Sequence, residues 1–192
     1  MSSGKLRPFV VGMGGTLKPG SSTEGAVKSV LELLRQRGAE SQFFGGADLD
    51  LPSYNPAAAH RDSKAQALVE ALRKADAVVL ASPGYHGGIS GLIKNALDYT
   101  EDMSRDARPY LEGRPVACIA TGAGWQGAAT TLAALRSVVH ALRGWPTPLG
   151  VMINTQTALS DQEDKARAEA VTQQFHVLAG QLMSFNHSAV LT

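Results

Sequence analysis

The sequence has little cysteine: Cys118 is the only one in 192 residues. A single thiol excludes an intrachain disulfide and a four-cysteine metal site. Long apolar runs are also missing. Nowhere do about 18 apolar residues follow one another, so no membrane-spanning helix is expected. Met1 to Pro8 is polar and lacks the apolar stretch of a signal peptide. Neither sign of charge dominates: 18 Lys+Arg against 17 Asp+Glu leave a net charge of +1, without the basic footprint of a nucleic-acid binder. His60, His140, His176 and His187 show no paired metal-ligand spacing. The expectation is a cytoplasmic protein with no membrane or nucleic-acid partner and no bound metal. No repeat, low-complexity tail or linker divides the chain. At roughly 100–200 residues per domain, 1–192 reads as a single domain.

What is present is alternation. Hydrophobic residues make up 44% and charged residues 18% of the chain, as in a globular protein. Short apolar runs at Phe9–Met13, Ser41–Gly45, Ala77–Ala81, Val116–Ala120 and Leu149–Ile153 predict five strands. Between them lie segments of helical period. Ser22–Arg37 places Val27, Val30, Leu31 and Leu34 on one face, and Gly38 stops it. Ser63 with Gln66 predicts a capping box before Leu68, Ala71 and Leu72. Ile89, Leu92, Ile93, Ala96 and Leu97 predict a third helix, and Leu132, Leu135, Val139 and Leu142 a fourth, stopped near Gly144. Ser160 with Glu163 predicts the cap of a fifth, carrying Val171, Phe175, Leu178 and Leu182. Strand–helix alternation predicts an α/β fold, a three-layer α/β/α sandwich on a five-stranded parallel sheet. The order 2-1-3-4-5 puts strands one and three at the switch point, where open sheets bind ligands beyond the strands' carboxyl ends.

Three segments rich in Gly, Ser and Thr follow strands one, three and four: Gly14–Thr23, Ser82–Gly88 and Thr121–Gly127. The first joins a strand to a helix N-terminus, which favours an anion, and Lys18 supplies a counter-charge. Gly15-x-x-x-x-Gly20 is followed by Ser21, where a nucleoside-triphosphate loop needs lysine. Gly12-x-Gly14-x-x-Leu17 puts leucine where a dinucleotide fingerprint needs Gly or Ala. The hydroxyls of Thr16, Ser21, Ser22 and Thr23 suit a phosphate monoester; a plain capping role for Ser21, with Glu24, is the simpler alternative. In the second segment Tyr85 offers an aromatic wall, unless Pro83 and the glycines only make a turn.

Here the sequence resembles the NADPH-dependent FMN reductase family, which is flavodoxin-like. Gly15-Thr16-Leu17-Lys18 and Ser21-x-Thr23 are similar to the family's Gly-Ser-x-Arg-x-x-Ser-x-Asn first loop. Pro83-Gly84-Tyr85-His86-Gly87 is similar to its Pro-Glu-Tyr-Asn-Gly, and Lys94-Asn95-Ala96-Leu97-Asp98 fits the helix that follows without change. Thr121-Gly122-Ala123-Gly124 resembles the family's Ser/Thr-Gly-Gly loop. The resemblance implies FMN as cofactor and NADPH or NADH as co-substrate. It implies that Gly15, Thr16, Lys18, Ser21, Ser22 and Thr23 take the FMN phosphate, and that Pro83, Gly84, Tyr85, His86 and Gly87 run along the isoalloxazine. Thr121, Gly122, Ala123 and Gly124 would meet its pyrimidine edge. Lysine for arginine at position 18 gives up a bidentate grip on phosphate.

The function this implies is hydride transfer from NAD(P)H to FMN and on to free flavin, a quinone or a similar small acceptor, with no catalytic side chain of its own. The alternative is a flavodoxin-like electron carrier without NAD(P)H turnover, against which the +1 balance speaks. Implied partners are a flavin-dependent monooxygenase receiving reduced FMN and a second copy of the chain, in a homodimer or homotetramer, with the Ile89–Leu97 helix as a contact. Cys118 reads as a buried small hydrophobe and Glu101-Asp102 as a solvated acidic helix end. His86 reads as a backbone hydrogen-bonder or a group at the flavin edge. The Leu51–Asp62 loop reads as a gate or an ordinary surface loop.

Overall fold

The structure, a computed structural model, describes residues 7–155 and 161–188. Strand β1 (Phe9–Met13) leads into helix α1 (Ser22–Gln36), and β2 (Glu40–Phe44) into α2 (Ser63–Lys74). Then come β3 (Ala77–Tyr85), β4 (Gly88–Ile89) and α3 (Gly91–Asp98), which runs on as a 3-10 turn over Tyr99–Met103. The remainder is β5 (Pro115–Gly122), α4 (Trp125–Ala141), β6 (Trp145–Pro146), β7 (Val151–Asn154) and α5 (Asp161–Ser188).

The sheet has seven strands, not five, with the path β2-β1-β3-β5-β6; β4 pairs β3 and β7 pairs β5. The two unforeseen strands are two residues long, too short to show a period. Both β6 and β7 lie along β5, opposite Pro115–Val116 and Ile119–Gly122 respectively. They are one interrupted edge, so the five longer strands keep the predicted order.

Alternation along the central strands explains the three layers. Val11, Met13, Val78, Leu80, Val116, Cys118 and Ala120 face one way, toward α2, α3 and α4. Val10, Ala77, Val79, Ala81, Ala117 and Ile119 face the other, toward α1 and α5. Both faces are covered, as the unbroken apolar runs require. A fully buried aliphatic side chain such as Leu80 or Ile119 contributes about 1.5–3 kcal/mol.

Several boundaries differ from expectation. The cap of α2 is Asp62, whose carboxylate accepts the Lys64 N–H at 2.8 Å; Ser63 is already helical, and Gln66 reaches back to the Arg61 carbonyl. Ile89 lies in β4, and α3 starts after Ser90, which caps it at Ile93 N. Ile93, Ala96 and Leu97 are buried in the core, so the apolar face of α3 is spent on the sheet. Helix α4 begins at Trp125, before its apolar period starts, because Gly-Ala-Ala-Thr-Thr has no hydrophobic stripe to read. The Ser160–Glu163 capping box lies partly outside the described residues. No helix among the described residues is long and apolar enough to cross a membrane.

Candidate functional site

Parallel register places the strand ends side by side. Met13 lies opposite both Phe44 and Leu80, Pro83 opposite Thr121, and Gly122 opposite Asn154. The first, second and third loops therefore leave the same edge of the sheet, at the switch point between β1 and β3.

Side chains tie these loops together. Thr23 and Thr121, 1% and 2% exposed, share a hydrogen bond of 2.6 Å between their hydroxyls. That bond locks the first turn of α1 to the end of β5. On the other side, the Thr131 hydroxyl of α4 donates to the Gly88 carbonyl at 3.3 Å. A Cβ at Gly84 would lie 2.6 Å from Thr131 Oγ1 and 3.0 Å from the Gly127 carbonyl oxygen. The first turns of α4 occupy that space, which accounts physically for glycine at a position where the family pattern carries glutamate.

The first loop is half anchored and half open. Gly15 is buried against the turn after β2; a Cβ on Gly46 there would overlap the Thr16 carbonyl oxygen. The Thr16 hydroxyl accepts from the Lys18 N–H and donates to the Lys18 carbonyl, both at 3.2 Å, folding the loop back on itself. Ser21 Oγ accepts the Glu24 N–H at 3.3 Å, the expected cap. Glu24 does not return the bond; its carboxylate pairs with Lys28. Lys18 and Ser22 are exposed, and Lys18 meets no carboxylate among the described residues. The N–H groups of Ser22 and Thr23, in the first helical turn, have no acceptor within their helix. An unpaired ammonium, free first-turn donors and a spare hydroxyl form a donor set that fits a phosphate monoester.

The second segment is a hairpin. β3 runs through Ser82 and Pro83 to Tyr85, well beyond the predicted end, and Tyr85 pairs with Gly88 in β4. His86 and Gly87, at φ 50° and 87°, make the two-residue turn; such hairpins require positive φ at both positions. Histidine at 86 keeps the left-handed backbone for which asparagine is favoured, with its ring exposed. The Ser82 hydroxyl closes the base, accepting the Ser90 N–H at 2.9 Å.

The third loop is shorter than predicted, because Thr121 and Gly122 belong to β5 and Trp125 to α4. Only Ala123, exposed, and Gly124 remain. Gly124 N–H lies 2.9 Å from the Asn154 carboxamide oxygen, a partner on β7 that sequence reading did not find. Leu17, Tyr85 and Trp125, 60%, 53% and 55% exposed, give each segment one large apolar side chain facing solvent.

The Leu51–Asp62 loop is pinned rather than loose. Asn95 accepts the Tyr54 N–H at 2.8 Å and donates to the carbonyls of Pro52 and Leu51 at 2.9 and 3.2 Å. Tyr99 OH donates to the Pro52 carbonyl. Thus the Lys-Asn-x-Leu-Asp segment divides its labour: Lys94 pairs with Asp98, Asn95 holds the loop, and Ala96 and Leu97 fill the core. Asp102 is not a solvated helix end. Arg61 grips both its oxygens at 2.7 and 2.8 Å, and this hydrogen bonding holds its carboxyl below the usual range against partial burial. Cys118 is buried as expected, and burial pushes its thiol up to about 12. A separate surface hollow, lined by Pro148, Val177, Gln181 and Phe185, carries no charged group and lies against α5.

The family model for NADPH-dependent FMN reductases matches residues 8–158. An FMN-dependent NADPH-azoreductase of Staphylococcus aureus (strain USA300) is 28% identical over 154 residues, which cover 78% of this chain and 75% of the relative. Among solved structures, FerB, a flavoenzyme NAD(P)H:(acceptor) oxidoreductase from Paracoccus denitrificans, aligns with a TM-score of 0.69 at 24% identity, covering 93% of this chain and 98% of its own. A Streptococcus pneumoniae flavodoxin aligns at 0.61 with 13% identity, covering 92% and 98%. At such identities these structures speak to the fold, which is flavodoxin-like.

Proposed function

The chain belongs to the NADPH-dependent FMN reductase family, and from that premise we propose that it passes hydride from NADPH or NADH, through FMN held at the carboxyl edge of the sheet, to a small planar acceptor. The observation that carries this reading is the linkage of three loops at one edge, through the Thr23–Thr121 hydroxyl bond and the Thr131–Gly88 contact, around an unpaired Lys18.

FMN, when bound, supplies the ring that accepts and donates hydride. The protein's part is to bind and orient. Lys18, Ser22, Gly15, Thr16, Ser21 and the first-turn N–H groups of α1 hold the phosphate. Thr23 acts through Thr121, fixing the phosphate loop relative to the third loop. Pro83, Gly84, Tyr85, His86 and Gly87 border the ring along the hairpin. Thr121, Gly122, Ala123 and Gly124 would border the pyrimidine edge; the Gly124 N–H is held by Asn154, so the Ala123 N–H would supply the donor there.

Leu17, Tyr85 and Trp125 favour an aromatic acceptor, a quinone or an azo compound, over a small charged one, since exposed apolar groups clustered at a site gain most from a flat apolar ligand. The Staphylococcus aureus relative is itself an azoreductase. A homodimer or homotetramer belongs to the same reading.

The test is an anaerobic spectrum. The protein is mixed with FMN, NADPH is added, and a quinone follows. The flavin band should bleach with NADPH and return with the quinone. A band that stays unbleached under saturating NADPH and NADH would contradict the proposal.

A further inference from the structure

We infer that Asn154 is a positioning residue for the flavin site, setting the direction of the backbone donors in the third loop. The inference rests on the reading just given, in which that loop meets the ring.

The problem Asn154 solves is visible in the sequence around Gly124. Helix α4 has no side-chain cap: its N-cap is Gly124, at φ 110° and ψ 153°. Gly122-Ala123-Gly124 has too little side chain to hold one conformation, and glycine is the residue least restrained by its own sterics. Something outside the segment must select it.

Two groups at the end of β7, Asn154 and the residue that follows it, do so. Asn154 stands opposite Gly122 in the parallel register. Its carboxamide oxygen accepts the Gly124 N–H at 2.9 Å, and the neighbouring Thr155 N–H reaches the Gly122 carbonyl at 2.8 Å. Gly124 N–H also lies 3.0 Å from that same carbonyl, so the turn closes into a ring of four groups. A Cβ at Gly122 would be 2.9 Å from the Ala128 nitrogen, so the helix start sits directly on the strand end and cannot drift from it.

The consequence concerns the donors left over. With Gly124 engaged, the N–H groups of Ala123, Trp125 and Gln126 meet no acceptor among the described residues. They lie at the positive end of a 17-residue helix. A reduced flavin carries negative charge at its pyrimidine end, where fixed donors stabilise it. Asn154 therefore acts on affinity and on the reduction potential together, without itself touching the ring. A carboxamide is suited to this, since it accepts a hydrogen bond and brings no charge.

The test uses Asn154→Ala and Asn154→Asp in the full chain, with FMN affinity read by fluorescence quenching and the midpoint potential of bound FMN by redox titration. Asn154→Ala removes the restraint and should raise the Kd for FMN about tenfold. Asn154→Asp keeps an acceptor in place, so it should bind more nearly like the wild type, but its carboxylate should move the midpoint potential to a more negative value. An unchanged Kd in Asn154→Ala together with an unchanged potential in Asn154→Asp overturns the inference. If Asn154→Ala does not fold, as judged by circular dichroism, Asn154→Asp decides alone, and an unchanged potential overturns it. Failure of the wild type to bind FMN sinks the proposed function and this inference with it; wild-type binding with silent variants sinks this inference only.

Discussion

Arg114 is 1% exposed, yet its guanidinium spends its bonds on carbonyls. Nε donates to Ala75 at 2.8 Å, and the two terminal nitrogens to Tyr110 and Arg73 at 2.9 Å. Arg73 and Ala75 are at the C-terminal end of α2, where unpaired carbonyls and the helix dipole call for a cation. Burial, and then the nearby Arg108 charge, pull the Arg114 pKa down to about 10. Nothing in the run before β5 announces this role, because two of the three partner carbonyls, those of Ala75 and Arg73, are some forty residues away in the chain. Arg114→Met should cost about 2–4 kcal/mol in urea unfolding, since it strands buried acceptors. Asp102 departs from the solvated helix end its sequence suggests for a similar reason: its partner Arg61 comes from a distant loop. Its pKa is depressed from the ordinary 3.8 by Arg61. The stabilisation is therefore complete above that unfolded-state value and disappears as pH falls through the lower folded-state value. Asp102→Asn should melt a few degrees below wild type at pH 7, with the gap closing in titrations below about pH 4.

At the scale of elements, helices with a clear apolar stripe were legible. α1 is an instance, with Val27, Val30, Leu31 and Leu34 buried as expected and Gly38 at φ 92° past its end. Elements that depend on tertiary contacts were not. Helix α4 starts from Gly124, whose N–H bonds Asn154 on a distant strand, and β4 exists because His86 and Gly87 turn β3 back on itself. The Leu51–Asp62 loop belongs to this class. Its sequence, rich in proline and alanine, reads as a surface loop, whereas Asn95 and Tyr99 fasten it to α3. Asn95→Ala should free the loop without unfolding the sheet, because the lost bonds are local. Limited proteolysis within residues 51–62 should become about tenfold faster, while the global urea midpoint moves little.

At the scale of the whole molecule, alternation and burial carry the fold. Apolar runs covered on both faces demand helices on both sides of a parallel sheet, and the edges fall to the half-polar β2 on one side and to the short β6 and β7 segments along β5 on the other. The same topology brings residues from positions 16, 85 and 123 to one edge, which is why segments scattered in sequence were recognisable as one candidate site. What topology could not supply is the fastening, namely Thr23 to Thr121, Thr131 to Gly88 and Asn154 to Gly124, since each is a contact between elements. In the proposed function FMN binds at this edge of the sheet. The direct measurement is the amide NMR spectrum of the uniformly labelled protein as FMN is added. Shifts concentrated in residues 15–23, 83–88 and 121–126 are the predicted result; shifts confined to the α5 hollow around Pro148, Val177 and Phe185, or none at all at saturating FMN, would contradict it.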